Sequence, residues 1–396
     1  MVNDRGAVLA SREAVNPILR PEPGAAEHDP EALWRTFAAL CRSLPARLRE
    51  RVSAVTLAGY QLSLMALDAR GRPLTGIMTL LDGRSQESFG TLTRRCDMRR
   101  LYRRTGCPPV AQYPLAKAWW LKTRRPAVFR RTTTFLGGKD WVLSRLAGRL
   151  VTEPSVSSAT QLLGLRTGEW DPYALRVLGL DARRLPAVVP AERVLGPLDA
   201  KARRETGLPA SAVLVPGVYD AAATLLGIGG MTPGVGAINL GTSAMYRTVI
   251  RRPALDRTRW MRLQTYHLIR GLWLGGAGVN NAGNVRAWLV RLFGLQDERA
   301  LDALAARVPP GADGALGLPF LTGDRDPRIG GDAAGAFLRL RERHGAGHLA
   351  RAATEGICYK LRMVGDLMRE HGMRVHAVRA GGGGTNSRLW VQTLAD

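Results

Sequence analysis

The spacing of apolar residues predicts a mixture of strands and helices along the whole chain. Apolar and β-branched runs predict strands at residues 53–57, 63–68 and 212–216, and a hairpin at residues 237–250. Apolar residues at helical spacing predict helices at residues 30–44, 115–122 and 349–368. Asp29, Pro30 and Glu31 form a helix start signal, an N-cap acid followed by a proline and an acid in the first turn. This pattern is typical of an α/β protein.

A turn-rich stretch divides this pattern in two. Residues 195–236 carry Pro209, Pro216, Pro233 and several glycines, and a new strand pair begins at Ala237. A chain of 396 residues is long enough for two domains of ordinary size. We therefore predict one domain over residues 1–232 and a second over residues 233–396.

Composition indicates a folded protein with an unusual excess of positive charge. Hydrophobic residues make up 45% of the chain and charged residues 23%, which excludes intrinsic disorder, and the net charge is +24. The segment from Arg94 to Arg131 holds ten Arg and two Lys against one acid, Asp97. The arginine run at residues 94–104 would lie mostly on one broad face of a helix and has no repeated aromatic residues of the kind that stack on bases. A solvated helix face is therefore favoured over a nucleic-acid-binding surface.

Cysteine spacing and hydropathy indicate in which cellular compartment the protein is expected. The four cysteines are scattered, with no CxxC pair, which predicts free thiols in a reducing cytoplasm. The N-terminus has no apolar segment of the kind found in signal peptides. The uncharged stretch 221–246 contains six glycines and Pro233, so turns and buried strands are a better interpretation than a membrane span. We expect a cytoplasmic protein without membrane or specific nucleic-acid partners.

Three glycine-containing turns carry the candidate chemistry, and each has two interpretations. Asp220 follows a strand and Gly217, and is either a helix N-cap or a general base. Gly241 and Thr242 lie between two strands, in either a phosphate-binding turn or a plain hairpin turn. The glycine run 381–384 is either a loop lying against a nucleotide or a flexible connection.

The order of these turns resembles that of the FGGY family of carbohydrate kinases, and so does the sequence elsewhere in the chain. The segments similar to family motifs are residues 27–34, 81–85, 105–108, 114–122, 157–160, 168–171, 275–284, 319–327, 351–356 and 390–396. Together they span essentially the whole chain in family order. The segment 280–284 with residues 241–247 is most similar to the gluconate kinase branch, beside xylulose kinases.

The resemblance implies a fold, a reaction and a set of site residues. The fold would be a two-domain α/β, actin-like (ribonuclease H-like) ATPase fold with a cleft between the domains. The reaction would be ATP-dependent phosphorylation of a sugar or sugar acid hydroxyl, with a gluconate-like or pentulose substrate and Mg²⁺. Asp220 would be the general base and a metal ligand, and the chain could pair as a homodimer. The sugar-side candidates are Asp82, Arg84 and Gln61, and the ATP-side candidates are Gly241, Thr242, Gly283, Gly383 and Asn386.

Three departures from the family pattern affect the expected activity. The family's opening GxDxGTxxxK motif is not matched, because residues 3–6 resemble the turn after that strand, and the similarity ends at Asp396. Gln61, Leu62 and Ser63 stand where relatives carry Met-His or Met-His-Ser. We therefore expect negligible kinase activity from residues 1–396 alone. A catalytically inactive remnant of such a kinase is the first alternative function, and a nucleic-acid-binding protein is a less favoured one.

Overall fold

The computed structural model describes residues 1–269 and 271–396. It forms two compact units: unit 1 is Met1–Ala223 with Tyr266–Gly271, and unit 2 is Thr224–Thr265 with Leu272–Asp396. The division falls inside a helix that begins at Asp220, whereas the sequence placed it at residues 232–233. Pro and Gly mark the turn after this helix, and they carry no information about the unit against which the helix packs.

The strands of unit 1 are short and pair two by two. They are β1 (Glu27–His28), β2 (Ala54–Thr56), β3 (Met65–Leu67), β4 (Ile77–Met78), β5 (Thr134–Leu136), β6 (Val151–Thr152), β7 (Ala187–Val188) and β8 (Val213–Val215). β2 pairs with β8 in parallel, as β6 does with β7. β1 pairs with β4, and β3 with β5, in antiparallel fashion. The strands predicted at 53–57, 63–68 and 212–216 are confirmed, each slightly shorter than predicted.

Helices make up most of the rest of unit 1. They are α1 (Pro30–Arg42), α2 (Ala46–Arg49), α3 (Gln86–Arg95), α4 (Met98–Thr105), α5 (Pro114–Arg124), α6 (Pro126–Arg131), α7 (Gly138–Ala147), α8 (Pro154–Ser158), α9 (Pro172–Leu178), α10 (Ala200–Thr206) and α11 (Asp220–Gly227), the last of which continues into unit 2. The start signal of α1 is confirmed, because the Asp29 side chain accepts hydrogen bonds from the N–H groups of Glu31 and Ala32.

Two hydrophobic clusters form the core of unit 1. One surrounds α5 and includes Trp120 and Phe135, and the other includes Trp34, Trp141 and Leu214. Every residue of α5 from position 114 to 121 is buried. This helix is therefore enclosed on all sides, and its polar side chains must find partners inside the protein.

Unit 2 is built on a mixed five-stranded sheet and a smaller strand pair. Its strands are β9 (Val235–Leu240), β10 (Ala244–Ile250), β11 (Gln264–His267), β12 (Trp273–Val279), β13 (Leu316–Leu318), β14 (Ala336–Leu338) and β15 (Ala377–Gly381). The last two residues of β11 belong to the segment assigned to unit 1. The order in the large sheet is β11-β12-β10-β9-β15, with β9 and β10 forming the predicted hairpin. β15 runs parallel to β9, so the two strands end at the same edge of the sheet.

Four helices of unit 2 cover this sheet and its flanks: α12 (Gly283–Leu292), α13 (Glu298–Ala306), α14 (Ala346–Glu370) and α15 (Arg388–Ala395). The 25-residue α14 extends the predicted helix 349–368 at both ends. Its residues Ile357 and Leu361 share one core cluster with Ile238 and Val279 of the sheet.

Two further expectations concern membrane-spanning helices and the state of the cysteines. Over the described residues, no helix combines the length and apolar character needed to cross a membrane. All four cysteines, Cys41, Cys96, Cys107 and Cys358, are free thiols, as their spacing predicted.

Candidate active site

Asp220 lies at the carboxyl end of β8, at the head of α11. Gly217, just before it, has a φ of +71°, and a Cβ there would collide with the backbone of Leu57, so glycine is required. The N–H of Asp220 donates to the carbonyl of Gly59 at 2.9 Å, and its Oδ1 accepts from the N–H of Ala221 at 2.6 Å. The side chain is exposed, so a ligand can reach the carboxylate.

A buried ion pair supports the Asp220 turn, which we define as residues 217–220. Lys139 and Glu153 are both buried and stand 2.8 Å apart. The Nζ of Lys139 also donates to the carbonyl of Gly217 at 3.3 Å. The Glu153 carboxylate accepts from the N–H groups of Ser155 and Val156 at the start of α8. The pair therefore joins the first residue of the Asp220 turn to a helix N-terminus.

Ser155 holds the other side of the same turn. Its Oγ donates to Glu153 Oε1 at 2.8 Å and accepts from the N–H of Tyr219 at 3.0 Å. The backbone carbonyl of Ser155 accepts from Nε2 of Gln61 at 2.9 Å. Ser155 therefore contacts both Gln61 and Tyr219, the residue that precedes Asp220.

Ser63, the last residue of the segment that departs from the family pattern, is a buried structural residue here. Its Oγ accepts a hydrogen bond from the N–H of Gly138 at the start of α7, at 3.0 Å. Burial raises the pKa of nearby Asp140 to about 6, against the lowering effect of Lys139. The hydroxyl of Ser63 is thus committed to the protein, and in the Gln61 turn (residues 61–63) Gln61 is the remaining polar side chain.

Asp82 and Arg84 lie in an internal ion cluster. They are 1% and 6% exposed, and Arg84 bonds through Nε and Nη2 to Asp82, through Nη1 to Glu22 at 2.6 Å, and through Nη2 to Glu27. Burial lowers the pKa of Arg84, but the hydrogen bonds with these carboxylates outweigh it and the pKa is raised. The four hydrogen bonds with carboxylates occupy four of the five guanidinium N–H groups, so Arg84 has little capacity left for a sugar. Their role as sugar ligands stays a prediction.

In unit 2 the turn between β9 and β10 packs closely on the start of α12. Gly283 donates its N–H to the carbonyl of Gly241 at 2.9 Å, and Asn284 donates to the carbonyl of Thr242 at 3.1 Å. A Cβ on Gly283 would lie 2.7 Å from the carbonyl oxygen of Gly241, which explains the glycine. Thr242 itself is exposed.

The glycine run 381–384 lies beside the same turn. A Cβ on Gly382 would lie 2.7 Å from Asn239 Oδ1, and one on Gly384 would lie 2.7 Å from Leu240 Cβ. Gly383 and Asn386 are exposed. Because β9 and β15 end together, the structure brings all five predicted ATP-side residues to one edge of the sheet in unit 2. Their role in binding ATP remains a prediction.

Supporting residues near these turns escaped the sequence analysis. They are Lys117, Lys139, Glu153 and Ser155 in unit 1, and Asn281, which is buried and accepts from the N–H of Thr322, in unit 2. One signal was available for the lysines. Only five of the 57 basic residues are lysine, and three of those five, Lys117, Lys139 and Lys360, are buried. The ammonium of lysine is more compact than a guanidinium and sits on a flexible stem, which suits these buried positions.

Few side chains that could bind a metal ion lie close together in the described part of the chain. Among residues 1–269 and 271–396, no group of three or more His, Cys, Asp or Glu side chains could hold a metal ion. Asp220 offers one exposed carboxylate. Mg²⁺ is usually held by one or two carboxylates together with substrate phosphates, so a single carboxylate fits this ion.

The two-domain α/β fold is that of the actin-like ATPase class. Two family models match the chain: the FGGY family of carbohydrate kinases, N-terminal domain, over residues 1–227, and its C-terminal domain over residues 236–396. The chain belongs to the FGGY family of carbohydrate kinases.

The proteins similar to this chain include gluconokinases and xylulose kinases. The chain is 28% identical to a gluconokinase of Bacillus subtilis, with 100% of this chain and 79% of that protein covered. It is also 28% identical to a xylulose kinase of Escherichia coli, with 100% and 81% covered. The crystal structure of gluconate kinase from Lactobacillus acidophilus superposes with a TM-score of 0.93 at 26% identity, covering 100% of this chain and 80% of that one.

These matches assign the reaction class. The protein is a carbohydrate kinase, a phosphotransferase that uses ATP and an alcohol group as acceptor. The similarity covers the whole chain and favours this function over the inactive-remnant and nucleic-acid-binding alternatives.

Proposed function

We propose that this protein phosphorylates a hydroxyl group of a gluconate-like sugar acid or of a pentulose. The names of its relatives support both substrate classes. In unit 1, Asp220 would accept the proton of the attacking hydroxyl while that oxygen bonds to the γ-phosphorus and ADP leaves. Gln61 would bind the sugar beside it. Asp82 and Arg84 would contribute to the sugar side through the ion cluster described above.

The observation that carries this assignment is the support of the Asp220 turn. Lys139 holds the carbonyl of Gly217, and Ser155 holds the N–H of Tyr219. A backbone held at both Gly217 and Tyr219 presents the exposed carboxylate of Asp220 from a fixed position, which favours general-base catalysis.

In unit 2, the turn with Gly241 and Thr242 would bind phosphate through N–H and hydroxyl groups. Gly283, Gly383 and Asn386 would lie against the adenosine. Mg²⁺ would neutralise phosphate charge, with Asp220 as its protein ligand. We further propose a cytoplasmic location, consistent with the free cysteines.

The test measures ADP release with gluconate, D-xylulose and L-xylulose in parallel. Because the opening GxDxGTxxxK motif is not matched, the chain is assayed beside a chimera that carries this hairpin from a relative. We expect turnover of one substrate class by at least one of the two forms. If neither form released ADP with any of these sugars, the proposed substrates would be wrong.

A further inference from the structure

Lys117 is a fully buried lysine in the middle of α5. Its exposed fraction is 0%, and its Nζ donates to the backbone carbonyls of Leu62 and of Thr79, the latter at 2.6 Å. Among the described residues, no carboxylate lies within ion-pair distance of it. Burial lowers its pKa to about 7, with Asp82 raising it and Arg84 lowering it further. A buried cation without an ion-pair partner is costly, and a core position in a helix is ordinarily filled by an apolar residue.

The first carbonyl that Lys117 holds belongs to a strained residue. Leu62 has a φ of +64°, a conformation that non-glycine residues rarely adopt. It separates Gln61, whose amide reaches Ser155, from Ser63, whose hydroxyl accepts from α7. The bond from Lys117 therefore fixes the centre of the Gln61 turn.

The second carbonyl belongs to Thr79, the first residue of the Asp82 turn, which we define as residues 79–84. The carbonyl of Thr79 also accepts the N–H of Asp82 at 3.1 Å, and Thr79 Oγ1 accepts the N–H of Leu81 at 3.3 Å. One ammonium group thus joins the turn that carries Gln61 to the turn that carries Asp82 and Arg84.

We propose that Lys117 is a positioning residue that sets the spacing of the Gln61 and Asp82 turns, and so the affinity for the sugar. The claim about affinity rests on the proposed function, whereas the claim about the two turns does not. A flexible four-carbon chain with three N–H donors can reach two carbonyls from one helix position, and the broader guanidinium of arginine cannot do so in the same space.

The test compares Lys117→Met with Lys122→Met. Lys122 lies on the same helix and also donates to a backbone carbonyl, that of Leu178 at 2.7 Å, but in a different part of unit 1. Amide hydrogen exchange is measured on peptides covering residues 58–65 and 77–86. We expect exchange in both peptides to rise about 10- to 100-fold in Lys117→Met, as for a lost hydrogen bond to a charged group, and to stay at the parent level in Lys122→Met.

Calorimetric titration then separates positioning from general loosening. The Kd for the sugar that the parent binds should rise by about tenfold or more in Lys117→Met, while the Kd for ATP stays within about twofold. Lys117→Gln keeps N–H donors without the charge, and it should recover part of both the exchange protection and the affinity.

Each outcome decides one claim. Unchanged exchange in either peptide, or an equal rise in Lys122→Met, would overturn the inference. Raised exchange with an unchanged sugar Kd would reject the effect on affinity. If the parent bound none of the sugars, the proposed function would fail while the exchange data still decided the role of Lys117. If neither Lys117 variant folded, the residue would be a general determinant of folding and the inference would be wrong.

Discussion

Lys139 and Glu153 form a 2.8 Å ion pair inside unit 1, and Lys139 also contacts the residue that begins the Asp220 turn. Ser155 connects the same carboxylate to the N–H of Tyr219. The charged groups of this pair therefore do not face substrate themselves. They hold the backbone that presents Asp220.

We predict that Asp220→Asn abolishes phosphoryl transfer and leaves ATP affinity nearly unchanged. Asparagine keeps the shape of the side chain but cannot accept the hydroxyl proton, and loss of a general base typically costs about 10²- to 10⁴-fold in rate. The measurements are ADP release in the form that turns over, and ATP titration by calorimetry. Near-normal turnover would show that Asp220 is not the base.

Glu153→Gln should destabilise unit 1 strongly. It leaves the Lys139 ammonium buried without its carboxylate, and breaking a buried pair from one side costs about 3 to 5 kcal/mol. The check is urea unfolding, with Glu87→Gln as control, because Glu87 pairs with Arg124 at the surface, where both side chains are exposed. That exposed pair should contribute less than about 1 kcal/mol. Equal losses in the two variants would mean that the buried pair has no special structural role.

The free energy of unfolding should increase with pH above about 7 because of Lys117. Its folded-state pKa is lowered to about 7, below its unfolded value, so the unfolded chain binds more protons in the interval above pH 7. One such group contributes a slope of up to about 1.4 kcal/mol per pH unit until it deprotonates in the unfolded chain near pH 10.4. Subtracting the pH profile of Lys117→Met from that of the parent isolates this contribution. If the difference in unfolding free energy between the parent and Lys117→Met stayed constant from pH 7 to 10, this prediction about Lys117 would be wrong.

The neutral amine is compatible with the positioning role of Lys117. An uncharged amine still has two N–H groups, one for the carbonyl of Leu62 and one for that of Thr79. The two turns should therefore stay joined at pH 8, where exchange can be measured on the parent.

Charge reversal of Arg99 and Arg103 together should change stability by less than about 1 kcal/mol, the range of surface substitutions. Both residues are exposed on α4. Thermal unfolding measures the change in stability. Retention on a DNA column over a salt series measures binding to nucleic acid. Tight, steeply salt-dependent retention that the variant loses would favour a nucleic-acid-binding surface.

Gly283→Ala should weaken ATP binding. The added Cβ would lie 2.7 Å from the backbone oxygen of Gly241, and backbone cannot move aside without shifting the turn that carries Thr242. Gly227→Ala is the control, since a Cβ there meets nothing within 4 Å. We expect the Kd for ATP to rise about tenfold or more, equivalent to about 1.4 kcal/mol, in Gly283→Ala alone. Equal affinities in the two variants would argue against a nucleotide site at this turn.

The sequence by itself determined much of the local structure. The N-cap of α1, the hairpin β9–β10 and the long α14 follow from residue spacing, because hydrophobic periodicity and capping act over a few residues. The position of Asp220 between a strand and a helix was evident for the same reason.

Only the tertiary structure decided which polar residues act together. Lys117 contacts Leu62 and Thr79, and Lys139 contacts Glu153 and Gly217, over separations of 14 to 78 residues. Such pairings depend on how helices α5 and α7 are buried against distant turns, and no local pattern contains that information. The burial of Asp82 and Arg84 in one ion cluster likewise became visible only in three dimensions, because charge in the sequence does not reveal exposure.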